Sequence, residues 1–201
     1  MKTEEINIRC KRKNFKILVP RGDYITRFMK KNKEFYEQDF LLHLLDKYKI
    51  FVQEKKIVDV GAFIGTHSIF FSHFFNTQVL AFEPNQFTLM LNNTKNFNVQ
   101  FYSTSLLDKK RFILCDYIDN KNQGTFRVKK ILNKETRTCL ISRPLDSFVG
   151  LTQKIGLIKI DVEGVELRVL KGAIRTIKLN KPVIVLESWD IIETMNTCGR
   201  F

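Results

Sequence analysis

The residues best suited to chemistry are Asp59, Gly61 and Gly65 in "VDVGAFIGTHSIFF", Glu83 in "LAFEPN", and Asp161, Glu163 and Glu187 in "KIDVEG" and "VIVLES". An acid and two glycines between apolar runs mark a strand-to-helix turn where a ligand meets bare backbone and helix N–H groups. The spacing departs from the G-x-G-x-x-G of dinucleotide enzymes, and without Gly-Lys-Ser/Thr it is not a triphosphate loop. Taken alone, such a turn is equally a device for tight strand–helix packing. Glu83 adds the missing weight. It lies about twenty residues past the glycines, where open α/β folds present an acid to ribose hydroxyls. A ribose acid beside a short glycine turn, with no pyrophosphate motif, points to a nucleoside without phosphates.

S-adenosylmethionine is the obvious such nucleoside. Moving its methyl group to an acceptor requires acceptor atom, carbon and sulfur held in line and, where that atom carries a proton, a base within reach of it. Asp161, at the end of an apolar strand, is the first candidate for general base, and Glu163 follows it in the turn. The competing role for Asp161 is to cap the next helix. Glu187 ends a further strand and reads either as a second base or substrate ligand, or as a strand-end acid facing water. Glu166 and Glu37 read as acids at helix starts. Asp161, Glu187 and Asp190 carry the oxygen ligands a magnesium or manganese ion prefers, but the sequence shows no close carboxylate pair, so metal-independent chemistry is expected. His43 reads as structural, His67 as a helix-start histidine near the turn, and Trp189 as a sugar-stacking or tail-packing ring.

These residues need elements to hold them. "INI" and "FKILV" read as strands and "RGDY" as a turn. "EQDFLLHLLDKYKIF" has Phe40, Leu41, Leu44, Leu45 and Tyr48 at helical spacing. A strand–helix rhythm follows: "KIVDVG", "THSIFFSHFF", "TQVLAFEP", "QFTLMLNNTKNF", "VQFYS". It resumes with "IGLIKIDVEG", the single helix "VELRVLKGAIRTIK" and the buried strand "KPVIVLES". Apolar strands alternating with helices predict a doubly wound, mostly parallel α/β sheet. Between the two runs, "RFILCDY", "DNKNQG", "TFRVKK" and "TRTCLISRPL" predict an antiparallel insertion near residues 109–145.

"YEQDFLLHLL", "IVDVGAFIGTHSIFFS", "LAFEPN", "RPLDSF" and "IGLIKIDVEGVELRVLKGA…KPVIVLE" together resemble the FkbM family of S-adenosylmethionine-dependent methyltransferases. The resemblance runs over residues 36–187. It implies a class I, Rossmann-like fold and methylation of hydroxyls, mostly on sugars and natural products, with S-adenosylhomocysteine as product. Carried over position by position, it places Asp59, Gly61 and Gly65 along the methionine part of the cofactor and Glu83 on its ribose. Pro84 and Asn85 fall on the ribose edge, and Ser105 and Leu106 at the adenine end. Only fourteen residues follow Glu187, fewer than the family's usual continuation. A glycosyltransferase module in a longer chain would be a natural partner.

The 201 residues, 44% hydrophobic, suit one domain: an N-terminal basic lobe at 1–35, the family-like core at 36–187, and the basic insertion within it. The net charge is +13, and it is concentrated. Residues 1–33 hold eleven Lys/Arg against three Asp/Glu, and residues 109–145 hold ten against three. Such flanks attract anionic partners or simply solvate a surface. They make the insertion and the N-terminal lobe the candidate acceptor-selecting regions. The four cysteines, Cys10, Cys115, Cys139 and Cys198, lack metal or redox spacing. With no apolar leader or spanning stretch, a soluble cytoplasmic protein is expected. Nucleic-acid methylation is the main rival. Against it, there is no N-P-P-Y or D-P-P-Y run and no Pro-Cys nucleophile, and a ribose-type Lys-Asp-Lys-Glu set finds only Lys159 and Glu187. A non-catalytic cofactor-binding module is the other rival, against which the intact set of site residues argues.

Overall fold

The computed structural model describes residues 2–119 and 122–187. An antiparallel hairpin opens the chain, β1 (Thr3–Cys10) and β2 (Lys13–Pro20), followed by α1 (Tyr24–Asn32) and α2 (Gln38–Val52). The core alternates as expected: β3 (Lys56–Val60), α3 (Thr66–Phe75), β4 (Val79–Phe82), α4 (Phe87–Thr94), β5 (Val99–Tyr102). Then come β6 (Ser105–Leu106), β7 (Arg111–Asp119), β8 (Asn122–Leu132) and β9 (Leu140–Arg143). The chain returns to the core with β10 (Ile155–Ile160), α5 (Glu166–Lys171), α6 (Ile174–Asn180) and β11 (Val183–Leu186).

Five strands form a parallel sheet in the order β11-β10-β3-β4-β5. The order reverses between β3 and β10, the place where open α/β sheets leave a crevice at their carboxyl ends. Alternate side chains feed two cores. Ile57, Val79, Ala81 and Leu157 pack with α2, α3, α4 and the N-terminal hairpin. Val58, Val60, Leu80, Phe82, Ile158 and Ile160 pack with Val169 and Leu170 of α5, Ala173 between the helices and Ile177 of α6. Helix α3 is covered nearly all round, with Ile69, Phe70, Phe71 and Phe75 buried, so it is a central helix. Each such side chain contributes about 1.5–3 kcal/mol by leaving water.

The insertion forms a four-stranded sheet ordered β6-β9-β7-β8. It is antiparallel except that β6 runs parallel to β9, so Ser105 and Leu106 belong to this sheet. Three expectations need correction. The helix predicted over "VELRVLKGAIRTIK" is two, broken at Gly172, where a Cβ would lie 2.0 Å from the Leu107 carbonyl oxygen. The strand "KPVIVLES" is half-buried and has one neighbour among the described residues. Phe40, assigned to the apolar face of α2, is 39% exposed.

Candidate active site

Register builds the site. Val60 is level with Phe82 and with Ile160, and Ile160 is level with Leu186. The residues that follow, Gly61, Glu83, Asp161 and Glu187, therefore emerge in a row along one edge of the sheet. Gly61 has φ +76°, and a Cβ there would sit 1.8 Å from the Asp161 carbonyl oxygen. Gly65 has φ +87°, and its Cβ would meet Met90 Sδ at 2.6 Å and Thr94 Cγ2 at 2.8 Å. Protein packing thus accounts for both glycines: one lets two strand ends converge, and the other seats α4 against the start of α3. Gly61 also lines the cleft that opens here, whereas Gly65 faces α4.

The cleft, with the solvent in its open mouth counted in, encloses about 1140 Å³ not filled by protein atoms. Pro84, Ser105 and Leu106 line it, with Ile25 and Tyr36 from the N-terminal region and Gln123 and Phe126 from β8. Glu83 is 6% exposed. Its Oε2 accepts from the Phe63 N–H at 3.0 Å and its Oε1 from the Asn85 N–H at 2.8 Å. Burial, opposed by these backbone donors and that of Gln86, pushes its pKa up to about 7. Asn85 serves the site through its backbone, while its side-chain amide donates to the Tyr117 hydroxyl.

The deep end carries a charge network that alternation explains. Lys159 is level with Asp59 on the neighbouring strand, and Asp161 lies two residues on, so all three project from one face. Asp59 is fully buried. Its Oδ2 accepts from Ser68 Oγ at 2.6 Å, and its Oδ1, which accepts no hydrogen bond, faces Lys159 Nζ at 3.6 Å. Lys159 donates to Asp161 Oδ2 at 3.0 Å. Burial opposes the Lys159 charge, but Asp161 and Asp59 outweigh it and hold its pKa above the ordinary value. Asp161 is likewise held below the usual carboxylate range: burial acts against this and Lys159 prevails. Glu187 is exposed at the end of its strand, and partial desolvation with the neighbouring Asp161, Glu37 and Glu163 pushes it up to about 7. Burial and Lys159 push His67 down to about 4, so the ring is neutral, with Nε2 donating to the Tyr36 carbonyl at 3.2 Å.

Asp161 therefore points into the network and does not cap a helix: α5 starts at Glu166 after Val165, with no side-chain cap. Glu166 is buried and accepts from the Gly164 N–H at 2.8 Å, and Glu163 lies in the turn at φ 41° and lines the cleft. Asp59 sits beneath the cleft and reaches it only through Lys159. Lys159 has a larger part than its sequence reading gave it. The available signal was a lysine inside the apolar strand "IGLIKI", two residues from an acid. Gln123 and Phe126 carried no signal, and Tyr36 none beyond its place at the start of "YEQDFLLHLL", because long-range folding brings them here. Asp190 and Trp189 lie outside the described residues. Among the described residues no group of three or more His, Cys, Asp or Glu side chains is arranged to hold a metal ion, and no helix is long and apolar enough to cross a membrane.

A mixed α/β molecule with a parallel five-stranded sheet, and with acids and a glycine turn at its strand ends, has the Rossmann-like methyltransferase architecture. The family described as "Methyltransferase FkbM domain" matches residues 59–196. The protein belongs to this family and is a methyltransferase. Members of methyltransferase families generally draw their methyl group from S-adenosylmethionine. No curated protein and no solved structure matches the chain.

Proposed function

We propose that this doubly wound, class I protein is an S-adenosylmethionine-dependent O-methyltransferase acting on a sugar hydroxyl of a glycan or glycoconjugate. The observation that carries the cofactor reading is Glu83: a buried carboxylate, oriented by backbone N–H groups at the end of β4, with lone pairs left for two ribose hydroxyls. The cofactor, when bound, supplies an electrophilic methyl group on a positively charged sulfur. Glu83 holds the ribose, Pro84, Ser105 and Leu106 border the nucleoside, and Gly61 borders the methionine end. The carboxylates ending β10 and β11 face the acceptor, and one of them takes its proton, which a weakly acidic sugar hydroxyl requires. Tyr36 supplies an aromatic wall on that side.

Calorimetric titration of S-adenosylmethionine and S-adenosylhomocysteine into the full chain tests the reading. We expect micromolar binding that Glu83→Ala weakens by about 1.5–3 kcal/mol, the loss typical of charged hydrogen bonds. Failure of both compounds to bind would sink it.

A further inference from the structure

We infer that Glu187 is the group that takes the acceptor's proton, and that Lys159 with Asp59 is a buried positioning pair that fixes Asp161 as a permanent carboxylate beside it. The inference rests on the O-methyltransferase reading and divides between two residues a role that "KIDVEG" alone assigns to Asp161.

Geometry separates the two carboxylates. Asp161 Oδ2 is 3.0 Å from Lys159 Nζ, and the same ammonium faces Asp59 Oδ1 at 3.6 Å. Asp59 is locked in turn by the Ser68 hydroxyl at 2.6 Å. Lys159 has a side-chain exposure of 6%, so its charge is screened little by solvent. A proton placed on Asp161 would leave that cation with less compensation, which disfavours the neutral form. Glu187 stands one strand further out: its backbone N–H donates to the Ile160 carbonyl at 3.1 Å, which places it level with Asp161 but beyond Lys159. The groups facing it are Asp161, Glu37 and Glu163, which favour its protonation, and Lys159, which opposes it more weakly. Asp161 also faces His67, and Tyr36 faces both carboxylates. A fixed negative charge next to a second carboxylate is the arrangement that raises the basicity of the second.

In the transfer, the acceptor oxygen forms its bond to the methyl carbon as its proton passes to a Glu187 oxygen. The carbon–sulfur bond breaks with its electron pair going to sulfur. The sulfonium charge and the Glu187 charge disappear together, and Asp161 and Lys159 keep theirs.

The test is a carboxyl-carbon NMR titration of the ligand-free full chain labelled at Asp and Glu, with signals assigned from Asp161→Asn and Glu187→Gln. We expect Glu187 to titrate near neutrality and Asp161 to stay ionised down to the acid end. In Lys159→Met the near-neutral step should move to Asp161, by more than about one pH unit. Should that variant fail to fold because Asp59 is left unpaired, the double variant Asp59→Asn, Lys159→Met removes both charges and should show the same transfer. Asp161 titrating near neutrality in the native chain, or variants that leave both midpoints in place, would overturn the assignment. Because the titration uses no cofactor, its failure is distinct from failure of the methyltransferase reading, which the S-adenosylhomocysteine calorimetry reports. Normal titration with no cofactor binding would overturn the proton-transfer role.

Discussion

At the scale of single residues, the site depends on carboxylates kept partly desolvated. Among the described residues no cation is paired with Glu83, and burial lifts it to about 7, so the ligand-free protein is a mixture of charged and neutral forms near neutrality. A ribose hydroxyl donates best to the charged form. Cofactor binding then selects the ionised protein, and the sign follows: affinity for S-adenosylhomocysteine is flat above about pH 7.5 and falls towards tenfold per pH unit below the Glu83 pKa. Calorimetry across pH 5.5–8.5 measures this, and Glu83→Ala should flatten the profile. An affinity that rises on acidification would remove Glu83 from the ribose. Glu83 is legible as a candidate in the sequence because that reading depends on spacing along the chain. The share Lys159 has in the site was not, because it depends on which residue of β3 lies level with it.

At the scale of elements, Asp23 is one of the side chains that tie the insertion sheet over the cleft to the rest of the fold. Asp23 is buried. Its Oδ1 caps α1 through the Ile25 and Thr26 N–H groups at 3.0 and 3.3 Å, while its Oδ2 accepts from the Gln123 N–H of β8 at 2.6 Å. Two oxygens thus serve two elements. Asp23→Ala should lose the cap, costing about 0.5–2 kcal/mol, and should free the end of β8. Asp23→Ser should restore the cap through its single oxygen but leave Gln123 without its acceptor. Hydrogen exchange separates them: we expect faster exchange in β8 for both variants, and in α1 only for alanine. Equal protection of β8 in the serine variant would show that the hairpin stands without this tie. In the sequence Asp23 reads as part of the "RGDY" turn, and α1 leaves no periodic signal because its apolar face is thin, with only Thr26 and Met29 buried. The core strands and α3 were legible because burial on every side leaves them as short apolar runs bounded by turn residues. The break at Gly172 was not, since it is imposed by Leu107 from a distant segment.

At the scale of the whole molecule, charge is sorted by depth. The chain carries +13, yet the described cleft lining holds four acids, Glu83, Asp161, Glu163 and Glu187, against Lys159 and Arg127. Both cations are already engaged, Lys159 by Asp59 and Asp161, and Arg127 by Asp116. A polyanion therefore meets its counter-charges outside the cleft, on the basic segments at 1–33 and 109–145, and meets repulsion within it. Heparin or a short RNA, followed by fluorescence anisotropy, should bind with an affinity that falls steeply with salt as counterions are released, while the affinity for S-adenosylhomocysteine stays unchanged at saturating polyanion. Competition between RNA and the cofactor would instead place the strand inside the cleft and favour ribose methylation. Independence of the two assigns the basic surface to steering or carrier binding and leaves the acid-lined interior to an uncharged hydroxyl, the acceptor class that needs a carboxylate base and brings no negative charge of its own.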